Sequence, residues 1–124
     1  MAKKVMVVDD SRTVRQQLGV LLADAGYEVL EASDGLEGVE KIGRTPDIAM
    51  VICDVNMPRM DGIQMLTMLR ENPKTADLLV LMLTTEGQPG LIARAKAAGA
   101  RGWIVKPFKP DLLLGAVRKL VGEA

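Results

Sequence analysis

The sequence predicts an α/β protein in which one parallel, five-stranded sheet lies between two layers of helices. Three observations predict it. The runs Val5 to Val8, Ile48 to Cys53 and Leu78 to Leu83 are apolar without alternation, the pattern of strands covered on both faces. A segment with helical spacing or helix-boundary residues follows each strand. The connections are short, and short connections between parallel strands impose right-handed crossovers and helices on both faces of the sheet.

Taken in order, the first strand stops at Asp9-Asp10. After Ser11 a helix is expected from Arg12 to Ala25, because Val14, Leu18, Leu21, Leu22 and Ala25 share one face, and Gly26 suits its C-terminal end. Tyr27 to Ala32 mixes Glu28 and Glu31 with Val29 and Leu30, which reads as an edge strand. Ser33-Asp34-Gly35 is a turn, and Leu36 to Ile42 a short helix expected to stop at Gly43 and Pro46. The next strand ends at Asp54. Asp61 caps a helix reaching about Arg70, with Ile63, Leu66 and Leu69 or Met65 and Met68 turned inward. Asn72-Pro73 breaks that helix, and the following strand ends at Thr84-Thr85. Pro89 opens a helix to Ala98, closed by Gly99. Gly102 to Val105 is the last strand, ending at Lys106-Pro107. Asp111 to Val121 is the last helix, with Leu112, Leu113, Val117, Leu120 and Val121 as its apolar stripe. The charged second strand belongs at an edge, which favours the order 2-1-3-4-5. This is the flavodoxin-like (βα)5 three-layer sandwich, with the first and third strands side by side.

Composition narrows the function. The 124 residues suit a single domain over 1–124, and the 48% hydrophobic, 2% aromatic content requires an aliphatic, methionine-rich core. Sixteen basic and sixteen acidic residues cancel, so nucleic acid and membrane are not expected partners. The apolar run after Lys4 is too short for a signal peptide or a membrane span. The single cysteine, Cys53, cannot form an internal disulfide, which points to a reducing, cytoplasmic setting. Without histidine, the chain lacks the commonest metal ligand and general base. Any phosphohistidine must therefore come from another protein.

In a parallel sheet all strand ends of one polarity share a rim. Asp9-Asp10, Asp54, Thr84 and Lys106 close the first, third, fourth and fifth strands, and a crevice opens where connections leave neighbouring strands toward opposite faces. Each residue alone has an ordinary reading. The aspartates could cap a helix, Thr84 could be structural, and Lys106 could be solvated. Those readings do not explain why the polar groups collect on one rim. Like charges about 4 Å apart cost about 4 kcal/mol at an effective dielectric near 20. A hard dication relieves this, and an all-oxygen carboxylate set suits Mg²⁺. Mg²⁺ and Lys106 would neutralise an incoming phosphoryl group, with Asp54 as the nucleophile.

Val7-Val8-Asp9-Asp10-Ser11, Asp54-Val55-Asn56-Met57-Pro58-Arg59-Met60-Asp61-Gly62, Leu83-Thr84-Thr85-Glu86 and Val105-Lys106-Pro107-Phe108 resemble the receiver domain of two-component response regulators. The likeness is greatest to stand-alone chemotaxis regulators and runs the full length. It implies that Asp54 is the phosphorylation site. Asp10 and Asp54 would bind Mg²⁺ directly, Asn56 through its backbone carbonyl, and Asp9 mainly through water. Thr84 would be the switch hydroxyl, Lys106 the phosphoryl-binding ammonium, and Pro107 a cis proline. Asn56 and Glu86 would tune dephosphorylation. The family's aromatic switch is usually tyrosine or phenylalanine; here Trp103 stands in its place.

The expected function is a phosphorylation-controlled switch, a phosphoacceptor rather than a turnover enzyme. A histidine kinase would phosphorylate it, the segment from Glu86 to Gly90 and Trp103 would repack, and a monomeric chain would change its affinity for a target such as a flagellar motor switch protein. A phosphatase would be a further partner. A phosphorelay intermediate is the alternative. A Mg²⁺-dependent phosphatase is disfavoured, because Asn56 stands where an acid/base residue is needed and no cap domain is visible. A phosphorylation-independent interaction module should have lost parts of the acidic site, and this chain has them all.

Overall fold

The computed structural model describes residues 2–85 and 89–123. Strands and helices alternate five times, as β1 (Lys4–Val8), α1 (Arg12–Asp24), β2 (Glu28–Ala32), α2 (Gly35–Arg44), β3 (Ile48–Asp54), α3 (Gly62–Glu71), β4 (Leu79–Thr85), α4 (Pro89–Ala97), β5 (Gly102–Lys106) and α5 (Pro110–Val121). The sheet order is β2-β1-β3-β4-β5, and every neighbouring pair is parallel. The predicted flavodoxin-like topology is therefore the one the chain adopts.

Side-chain alternation along the strands divides the core into two layers. Val5, Val7, Met50, Ile52, Leu81 and Leu83 face one side, where Leu18 and Leu22 of α1 and Leu113 and Val117 of α5 cover them. Met6, Val8, Val51, Cys53, Val80 and Met82 face the other, against Ile63, Met65, Leu66 and Leu69 of α3 and Ala95 of α4. Met6, Met50, Met65 and Met82 are wholly buried, so unbranched thioethers fill the volume that aromatic rings would otherwise occupy. No helix among the described residues is long and apolar enough to cross a membrane.

Several boundaries differ from the sequence reading. Helix α2 runs through Gly43 to Arg44 instead of stopping at Ile42. A glycine inside a helix costs only about 1 kcal/mol. The firmer stop is Thr45, which precedes Pro46 and is biased out of helical geometry; its hydroxyl donates to the Lys41 carbonyl at 2.7 Å. Met68 is 44% exposed and Leu112 64% exposed, so neither belongs to the core stripe of its helix. Both lie on helical faces turned from the sheet, which Met65 and Leu69 on α3 and Leu113 and Val117 on α5 cover instead. Asp61 caps α3 as expected, within a full capping box: its carboxylate accepts from Gln64 N–H at 2.8 Å, and the Gln64 side chain accepts from Asp61 N–H at 2.9 Å.

Candidate functional site

The register of the sheet builds the site. Val8 pairs with Cys53, Asp54 with Leu83, and Thr84 with Val105, so Asp9, Asp54, Thr84 and Lys106 follow one another along the C-terminal rim. One carboxylate oxygen from each of Asp9, Asp10 and Asp54 lies within 4.8 Å of the others. Asp9 is fully buried and Asp54 is 6% exposed, whereas Asp10 sits at the open edge.

Each member of the cluster is held. Asp9 Oδ1 accepts from Ser11 N–H at 2.8 Å, and Oδ2 accepts from Lys106 Nζ at 3.0 Å. The same ammonium lies 3.3 Å from Asp54 Oδ1. Arg15 Nη1 donates to the Asp9 carbonyl at 2.6 Å while its Nε pairs with Glu31 at 3.2 Å, fixing the chain where β1 gives way to α1. The Lys106–Pro107 peptide is cis, as the resemblance implied.

The electrostatics follow from this packing. Burial and the charge of Asp9 push the Asp54 carboxyl up to about 6, and Lys106 only partly opposes them. For Lys106, burial works to lower the pKa, but the hydrogen bond to Asp9 and the charge of Asp54 outweigh it and the net shift is upward. Burial keeps the Cys53 thiol protonated, with its pKa far above the ordinary value; Cys53 is the small core residue expected of it. Three carboxylates facing one ammonium leave two negative charges uncompensated. That residue of charge, presented by hard oxygen donors, fits a divalent cation such as Mg²⁺.

Thr84 is 1% exposed, and its Oγ1 has no hydrogen-bond partner among the described residues. Buried hydroxyls are almost always paired, and this one, without a partner among the described residues, sits on the rim beside the acidic cluster. Asn56 is exposed, in the loop that leaves β3. Trp103 is 38% exposed on β5, opposite Met82, so its ring lies partly in solvent. Glu86 lies outside the described residues.

Three features escaped the sequence reading. The first is Arg15, whose contact with the Asp9 carbonyl has no motif. The second is an ion pair between Asp34 and Arg59 at 2.8 Å. The third is the closeness of Gly62 to the acceptor strand: a Cβ there would lie 2.2 Å from the Asp54 carbonyl oxygen and 2.9 Å from Met82. Gly62→Ala should therefore destabilise the fold by about 1–3 kcal/mol through overpacking and push Asp54 out of register. Chemical denaturation should report the loss; a variant as stable as the parent would show that the β3–α3 junction yields freely.

A doubly wound sheet carrying an acidic pocket, a rim hydroxyl and a rim ammonium defines a phosphoacceptor class, and the family profile of the response regulator receiver domain matches residues 5–118. The chain belongs to that family, whose members accept phosphoryl groups in two-component systems. Among its relatives, chemotaxis protein CheY1 of Helicobacter pylori is 38% identical over 120 residues, covering 96% of this chain and 97% of that protein. PilG of Pseudomonas aeruginosa is 38% identical over 118 residues, covering 93% and 84%. The solved structure of chemotaxis protein CheY4 of Vibrio cholerae superposes with a TM-score of 0.90 at 41% identity, covering 97% of this chain and 99% of that one. The chain is thus homologous to chemotaxis response regulators.

Proposed function

We propose that the chain is a single receiver domain over 1–124 in which Asp54 takes a phosphoryl group from a histidine kinase and the phosphorylated state changes affinity for a target protein. The observation that carries this is the convergence of Asp9, Asp10 and Asp54 under the Lys106 ammonium. An Asp54 carboxylate oxygen attacks phosphorus, the bond to the donor's imidazole nitrogen breaks, and the electron pair leaves with the imidazole. An acyl phosphate results.

Asp10, Asp54 and the Asn56 carbonyl are assigned as direct Mg²⁺ ligands. Both oxygens of Asp9 are already engaged by Ser11 and Lys106, which suits a role through water. When bound, Mg²⁺ supplies charge neutralisation for the transferring phosphoryl oxygens. Lys106 turns from the carboxylates toward the new phosphoryl oxygens, and the Thr84 hydroxyl donates to one of them. Moving Thr84 shifts the chain that leads into α4, and Trp103 repacks beside it. Asn56 and Glu86 are assigned to tuning dephosphorylation, by water or by a phosphatase. The event is a population shift set by how differently phosphorylation stabilises two states.

The target surface is assigned to α4, β5 and α5. Trp103, Val105 and Leu112 are three of the five large hydrophobic side chains exposed among the described residues, and Arg94, Lys96, Arg118 and Lys119 lie on the same elements. A flagellar motor switch protein is the proposed partner, in the cytoplasm, with the chain acting as a monomer.

Incubation with acetyl phosphate and Mg²⁺ should attach one acid-labile phosphoryl group, mapped to Asp54, and Asp54→Asn should abolish it. Equal modification of the variant would overturn the site. Protein treated with beryllofluoride should capture the motor switch protein better than untreated protein; capture of a histidine phosphotransfer protein instead would favour the phosphorelay role.

A further inference from the structure

We infer that Asp34 and Arg59, which lie outside the acidic pocket, are positioning residues for its metal: their ion pair fixes the loop that brings the Asn56 carbonyl to the ion. The inference rests on the assignment of Asn56 above.

The loop from 55 to 61 leaves β3 directly after Asp54. It is closed at its base, where Gly62 N–H donates to the Val55 carbonyl at 2.8 Å. Its outer end packs Met57 and Met60 on the core beneath and is tied from outside to the turn between β2 and α2. Arg59 Nε donates to Asp34 Oδ2 at 2.8 Å, and the Asp34 carboxylate is 7% exposed. The other oxygen of Asp34 accepts from Glu37 N–H at 2.9 Å, so the same side chain caps α2. One residue further along each chain, Gly35 N–H donates to the Met60 carbonyl at 3.1 Å. The approach is close: a Cβ on Gly35 would lie 2.5 Å from that oxygen.

The backbone at Arg59 is left-handed, with φ of 64°, a conformation that a side chain disfavours sterically. A loop free to relax would leave it. Locally a hydrogen bond from Met60 N–H to the Pro58 carbonyl at 2.7 Å spans it; from outside the buried carboxylate of Asp34 grips the Arg59 side chain, and that hydrogen bond, with the Glu37 N–H behind it, lowers the Asp34 pKa below the usual carboxylate range. The reach of the pair is what matters. Its tether sits three residues from Asn56, so tilting the loop outward carries the Asn56 carbonyl away from Asp10 and Asp54 without touching either.

Arg59 is itself more than half exposed, and exposed ion pairs add little to global stability. Loop placement and fold stability should therefore separate. Arg59→Ala should lower the melting temperature of the metal-free protein only modestly, because the Glu37 N–H still serves the Asp34 carboxylate, weaken Mg²⁺ binding in calorimetry about tenfold, as loss of an outer support does in other metal sites, and speed hydrogen exchange at the amides of residues 56, 57, 59 and 60. Asp34→Asn keeps a good helix cap and removes the ion pair, so it should weaken Mg²⁺ binding similarly; the double variant should lose no more than either alone. Arg59→Lys should recover part of the loss. Unchanged Mg²⁺ affinity and unchanged exchange in Arg59→Ala would overturn the inference, as would additive losses in the double variant. A parent protein that binds no Mg²⁺ would instead overturn the metal site, and exchange in the metal-free protein would then decide whether the pair fixes the loop.

Discussion

Lys106→Met is expected to be among the most damaging single substitutions in the metal-free protein, costing about 3–5 kcal/mol at neutral pH. The figure is that for breaking a buried ion pair by removing one partner. Lys106 is the cation that touches both buried carboxylates, at 3.0 Å from Asp9 and 3.3 Å from Asp54. Asp9 is fully buried, so its charge has no solvent to fall back on, and the Ser11 N–H alone is a small compensation. Methionine keeps most of the stem's volume, which separates the lost charge from a lost contact. Urea denaturation of parent and variant gives the cost directly. Because the damage is uncompensated negative charge, millimolar Mg²⁺ should restore much of it by binding the folded variant. A variant that Mg²⁺ does not rescue would show that the lysine stem, not its ammonium, was the stabilising part. Phosphorylation should still occur in the rescued variant, while its coupling to target affinity should fall, since the group that turns toward the phosphoryl oxygens is gone.

How much of this was legible beforehand depends on what kind of constraint fixes each feature. Strand polarity and order were legible because burial on both faces forces unbroken apolar runs, and the charged Glu28 and Glu31 could only sit at an edge. The pocket was legible for the same reason: once the strands are parallel, Asp9, Asp54, Thr84 and Lys106 must share a rim. Helix faces were read less well. The stripe that includes Leu112 has the correct period, but how wide a stripe the sheet covers is set by where α5 crosses it, and Leu112 falls beyond that width at 64% exposure. The Arg59 conformation was not legible at all. Left-handed backbone is usually announced by glycine or asparagine, whereas here it falls on an arginine whose side chain is held by a partner 25 residues away in sequence. The Thr84 hydroxyl, without a partner among the described residues, likewise has no sequence signature, because satisfaction of a polar group is a property of its surroundings.

The metal-free protein should be more stable at pH 5 than at pH 7.5, with Asp54 as the cause. Its carboxyl is pushed up to about 6 in the folded state against 3.8 for the free group. Between those values the folded chain binds a proton that the unfolded chain has released, so stability must rise as pH falls through 6, and the gain is complete near pH 4. A displacement of about two pKa units corresponds to about 3 kcal/mol over the whole interval. The window is clean because the chain has no histidine to titrate within it. Asp34 and Glu37 shift in the opposite direction and their contributions are lost only at lower pH. Asp54→Asn carries the neutral form permanently: its stability should be flat from pH 5 to 7.5 and should exceed that of the parent at pH 7.5. Mg²⁺ should invert the parent's profile, because the ion binds the carboxylate and competes with the proton, so that saturated protein loses stability on acidification where metal-free protein gains it. Chemical denaturation at a series of pH values, with and without Mg²⁺, tests both slopes at once. A metal-free profile that is flat, or one that the Asn variant reproduces, would mean that the buried acid is not Asp54 and that the repulsion on which the dication site rests is absent.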